Sequence, residues 1–111
     1  MADFDETLAI YDAACAKAKI ERKGKNLVYT SSNGHMFSQM NKAGELGIRL
    51  PKQRQKDLTE SHSAGPFKSY GATMRDYICL TDDMLADKKL IVSLLKEGLE
   101  FVEAMPPGKK A

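Results

Sequence analysis

Leu46, Ile48 and Leu50 alternate with Glu45, Gly47 and Arg49, the period of two that marks a half-buried strand. Just before them, Asn41-Lys42-Ala43-Gly44 carries the Asn and Gly that turns use to reach unusual backbone angles. Gly34 to Pro51 therefore reads as a β-hairpin at the centre of one small sheet. With all four loop residues outside the ladder, Met40 faces Glu45, Phe37 faces Ile48 and Met36 faces Arg49, because antiparallel partners keep a constant index sum. One face is then predicted to hold Phe37, Leu46, Ile48 and Leu50. The other holds Met36, Met40 and Arg49, with Gly47 leaving a flat place between them.

Upstream, Phe4, Leu8, Tyr11, Cys15 and Ala18 recur at helical spacing, Asp3 is placed to cap the helix, and Gly24 is expected to stop it. Asn26 to Thr30 is a short β-rich run, and Ser31-Ser32-Asn33-Gly34 is a turn signal. Pairing parity places Val28 on the core face with Phe37, and Leu27 and Tyr29 on the other face with Met36. Downstream, Pro51 opens a helix over Lys52 to Ser61 whose main apolar anchor is Leu58. After a loop from His62 to Pro66, a second hairpin runs from Phe67 to Tyr70 and from Met74 to Leu80. Thr81-Asp82-Asp83 is a capping cluster. Asp87 can start a long helix whose apolar stripe includes Leu90, Ile91, Leu94, Leu95, Phe101, Val102 and Met105. Pro106-Pro107-Gly108 ends that helix, and the basic tail after it is expected to be disordered. The predicted order is α-β-β-β-α-β-β-α. Hairpins with segregated helices imply an α+β, two-layer domain spanning residues 1–111, with an antiparallel sheet of about five strands.

Composition changes this picture little. A chain of 111 residues can bury roughly two-thirds of its unfolded surface around one core without a disulfide or metal. Seventeen basic against 15 acidic residues leave a formal charge of +2, too small by itself to imply nucleic-acid binding. Cys15 and Cys79, far apart in sequence, read as two reduced thiols in a cytoplasmic protein. No apolar run reaches membrane-spanning length, and no membrane partner is expected.

Several short motifs resemble the N-terminal domain family of the TfoX/Sxy bacterial competence regulators. They are Asn33-Gly-His-Met-Phe37, Leu46-Gly-Ile-Arg-Leu-Pro51, Gly65-Pro-Phe67, Met74-Arg-Asp-Tyr77, Leu85-Ala-Asp87 and Met105-Pro-Pro-Gly-Lys-Lys110, in the family's order. The resemblance implies a fold similar to secretion-chaperone-like domains and a link to transcriptional regulation. It brings no catalytic residues and no cofactor.

His35, His62, Cys15 and Cys79 lack the paired spacing of zinc sites, and no nucleophile elbow or Gly-rich phosphate loop is present, so neither metal, cofactor nor enzymatic activity is expected. Two surfaces remain. The sheet face with Leu27, Tyr29, Met36, Met40, Arg49, Arg75 and Tyr77 is the candidate surface for a protein partner or homodimer, provided the helices pack on the other side. The run of Lys17, Lys19, Arg22, Lys23 and Lys25 is the candidate contact to phosphates and makes nucleic acid the alternative partner, against a plainer reading as a solvated helix end. A small-ligand protein, or an enzyme of unknown reaction, with a pocket between sheet and helix is the weaker third reading.

Overall fold

The computed structural model describes residues 4–24, 28–41, 43–69 and 72–106. Helix α1 (Phe4–Ala18) leads to the strands β1 (Val28–Ser32), β2 (His35–Met40) and β3 (Leu46–Arg49). Helix α2 (Lys52–His62) precedes β4 (Gly65–Ser69) and β5 (Ala72–Cys79), and the chain continues through α3 (Asp82–Ala86) and α4 (Lys88–Glu103). The five strands form one antiparallel sheet in the order β1-β2-β3-β5-β4. The α+β reading holds, with one short helix more than the expected order: Thr81 accepts from the Met84 N–H to start α3, and Asp87, accepting from the Leu90 N–H, then starts α4. Leu27, Lys25, the Asp3 cap and the tail after Pro106 lie outside the described residues.

α1 ends earlier than Gly24. Lys19 takes a left-handed φ of 59°, and the N–H groups of Lys19 and Ile20 return to the carbonyls of Ala16 and Cys15 at 3.2 and 2.9 Å. That pair of bonds is a Schellman closure, which satisfies the last orphan carbonyls without a glycine. The basic run thus leaves the helix after Lys17.

The central hairpin is shifted by one residue from the expected pairing. Asn41 belongs to the ladder: its N–H bonds to the Glu45 carbonyl at 3.0 Å, and its side-chain oxygen accepts from the Glu45 N–H at 2.9 Å. Met40 therefore faces Leu46 and Ser38 faces Ile48. A one-residue shift moves alternate side chains to the other face, and Met40 becomes core, 1% exposed. Phe37 keeps its place only because β2 bulges there. Thr30 faces Ser38 while Ser31 faces Met36, so Phe37 is the extra residue, and its ring points, with Ile48, at the α4 residue Gly98.

α4 crosses the face formed by β1, β2 and β3, and α1 packs against α4. The closest approach is at Gly98, where an added Cβ would sit 3.1 Å from the Arg49 carbonyl oxygen. α2 joins the same side through Leu58 in the core and an Arg54–Glu97 ion pair at 2.9 Å. The helices are thus gathered on one side of the sheet.

The opposite side is partly filled by the sheet itself. Between the pairs Pro66–Ile78 and Lys68–Thr73, four residues of β5 stand against Phe67 of β4, and Asp76 within this bulge has φ 67°. Such a bulge coils a hairpin strongly. In a flat sheet, β4 and β2 would lie about 14 Å apart, three strand spacings, yet the Asn41 side-chain amide donates to the Lys68 carbonyl at 2.7 Å. The sheet curls, and Phe67 comes to lie over Gly47.

Candidate functional site

The helix-free face is divided into two halves. On the β3–β5–β4 half, Phe67 stacks on Tyr77 with ring centroids 6.0 Å apart, and the Tyr77 hydroxyl donates to the Met36 carbonyl at 2.8 Å. Tyr77 is 7% exposed, so it is core and not the accessible surface residue expected. On the β1–β2 half, Tyr29 and Met36 face the same side and are half-buried. Met40 leaves this surface by the register shift. Arg49 sits at the margin, 3.7 Å from Asp76 and over the Phe101 ring at 5.8 Å. Arg75 lies on β5, its side chain outside what the structure describes. Of the seven residues expected to form one patch, Tyr29 and Met36 are brought together and remain partly accessible.

The outer edge of β1 beside Tyr29 is only partly open. Lys23 bridges to Tyr29 by two backbone hydrogen bonds, at 2.8 and 3.0 Å. The connection after α1 thereby covers one position of an edge that would otherwise offer free N–H and C=O groups.

The basic run does not form one surface. Arg22 pairs with Asp12, and the Lys23 ammonium donates to Ser31 at 3.2 Å. Lys19 closes the helix, and Lys25 is outside the described residues. Lys17 alone is carried elsewhere: it lines a groove of about 340 Å³ between α1 and α4 together with Lys88, Lys89 and Lys96. Those three lysines were not singled out in the sequence. The signal that could have found them is a pair of lysines in the first turn of a helix, where the dipole disfavours cations.

Beneath the helices, the Tyr11 hydroxyl meets Ser38 at 2.5 Å, and Ser38 also bonds Thr30. All three residues are fully buried. Burial raises the Tyr11 hydroxyl well above its ordinary pKa, and Cys15 next to it on α1 is pushed up to about 12 by burial and the nearby Asp12. Cys79 is pushed up to about 12 by burial and by Glu45, whose carboxylate accepts from its thiol at 3.7 Å. Thiols with such values are protonated at neutral pH and poor nucleophiles. Among the described residues, no group of three or more His, Cys, Asp or Glu side chains is placed to hold a metal ion, and no helix is long and apolar enough to cross a membrane.

No protein-family model, curated protein or solved structure matches the chain.

Proposed function

We propose that this chain is a small non-enzymatic association domain of the TfoX N-terminal type, acting in the cytoplasm in a regulatory setting through the Tyr29 and Met36 face of its sheet. The supporting observation is that the helices gather on one side, while Tyr29 and Met36 stay half-buried on the other, next to the edge strand β1. A Tyr and a Met are suited to such a surface, since one offers a large rigid ring and the other an adaptable apolar chain. The motifs from Asn33 to Lys110 support the family part of the reading. The nucleic-acid alternative is the weaker one, because Arg22 and Lys23 are engaged within the chain.

The test is light scattering of the wild-type chain over a concentration series, beside the Tyr29→Ala/Met36→Ala double variant. A concentration-dependent increase in mass that the variant loses while its circular dichroism stays native is the expected result. A monomer at every concentration, combined with unchanged partner capture by the variant, would sink the reading.

A further inference from the structure

Lys17, Lys88, Lys89 and Lys96 converge on one groove between α1 and α4. Among the described residues none of the four ammonium groups is in an ion pair. Lys88 and Lys89 stand in the first turn of α4, at the positive end of its dipole, where a cation is disfavoured. Asp87, the N-cap of α4, accepts from the Leu90 N–H and offsets part of this charge. Among the described residues, four lysines and no acidic side chain line the groove, which gives it a positive character.

The groove continues into an apolar trough of about 110 Å³ floored by Ile10, Ala14, Ile91 and Val92, with Lys17 and Lys88 at its rim. Ile10 and Val92 are half-buried and so remain available to a partner. This combination selects among anionic ligands. A nucleic-acid backbone is bound by cations with its phosphates still solvated, and single strands are held by stacking bases on aromatic rings. Among the described residues the groove has no aromatic lining, and its floor is aliphatic. An amphipathic helix with aliphatic anchors on one stripe and carboxylates on its flanks satisfies both parts at once, as helix-in-groove recognition requires.

We propose that the α1–α4 groove is a docking site for an acidic amphipathic helix of a protein partner, with Lys17, Lys88, Lys89 and Lys96 pairing its carboxylates and Ile10 and Val92 receiving its aliphatic anchors. This surface lies on the helical side of the sheet, away from Tyr29 and Met36, and stands whether or not that face associates.

The probe is a fluorescein-labelled peptide of about 18 residues, long enough to form a helix, with leucines on one stripe and glutamates flanking it. Its anisotropy is followed against the full chain at roughly 50 and 200 mM salt, beside a charge-matched duplex DNA. Saturable peptide binding is expected, weaker at the higher salt and weaker by about tenfold or more in Lys17→Glu/Lys96→Glu, since reversing two of the four charges cancels the net positive charge of the groove. Val92→Ser and a leucine-to-serine peptide should each weaken it as well, and Tyr29→Ala should not. If the charge reversals disturb folding, Lys17→Gln/Lys96→Gln gives the same comparison with less perturbation. The proposal is overturned if the peptide does not bind or binds equally after loss of its leucines. It is also overturned if the duplex is bound in preference, or if the lysine variants instead dissociate a homodimer, which would make a second copy the occupant.

Discussion

Phe67 occupies the space that a side chain at position 47 would need. An added Cβ on Gly47 would stand 2.6 Å from Cδ1 of the Phe67 ring, well inside contact distance. The glycine in the central strand β3 thus lets β4 curl over the sheet, and the ring fully buries itself there.

Gly47→Ala should therefore cost about 1–3 kcal/mol through overpacking, and Phe67→Ala about 3–5 kcal/mol through the lost ring and its cavity. The two changes share one space, so they should not add: in the Phe67→Ala background, Gly47→Ala should cost little. Urea titrations of the four proteins provide the cycle. Strict additivity would show that the ring does not depend on the missing side chain.

Asn33 does two things at once. Its φ is 55°, and its side-chain amide donates to the carbonyls of Val102 and Met105 at 3.0 and 2.8 Å, tying the β1–β2 turn to the end of α4. Asn33→Gly keeps the backbone freedom and loses the two bonds, whereas Asn33→Ala loses both benefits. Asn33→Gly should cost about 1–2 kcal/mol and Asn33→Ala about 1 kcal/mol more. Equal losses in thermal or urea unfolding would assign the whole effect to the hydrogen bonds.

Asp76 tests backbone against charge. Its ion pair with Arg49 spans 3.7 Å between half-exposed groups, an arrangement generally worth no more than about 1 kcal/mol. Its φ of 67° is a conformation that Asn tolerates as well as Asp and that β-branched residues resist. Asp76→Asn should therefore be nearly neutral, and Asp76→Val should lose about 1–3 kcal/mol. A large loss for Asp76→Asn in urea unfolding would shift the weight to the ion pair.

Alkaline pH should destabilise the fold. A thiol whose folded pKa is raised is bound to more protons in the folded state than in the unfolded one over the interval between the two values. For Cys15 and Cys79 that interval runs from 9.0 to about 12, so their contribution is intact below pH 9.0 and is lost progressively as pH rises through it. Tyr11 and Tyr77, also raised by burial, act in the same direction at higher pH. Urea midpoints should fall above pH 9.0, less so in Cys15→Ala/Cys79→Ala, and iodoacetamide should label both cysteines slowly in the native state. A midpoint independent of pH over that range would contradict the buried thiols.

The element types and most of their positions were legible in the residues. Periodicity of two marked β3, the helical stripe marked α4, and Asp87 marked its start, because local geometry and capping act within a few residues of chain. The register of the central hairpin was not legible. It turned on whether Asn41 belonged to the turn or the ladder, which its side-chain bonds to Glu45 and its donation to Lys68 decide. Met40 changed face for that reason, and Phe37 kept its face because of a bulge with no local signature.

What the sequence by itself determined is an α+β chain with hairpins around Asn41 and Gly34 and an amphipathic helix before Pro106. Only the tertiary structure decided that the sheet curls far enough for Phe67 to cover Gly47, and that Lys17 lines one groove with Lys88, Lys89 and Lys96. The physical reason is the same in both cases. A bulge's coil and a helix–helix packing angle are set by contacts between residues remote in sequence, and an exposed lysine reads the same along the chain whether it faces water alone or closes a groove.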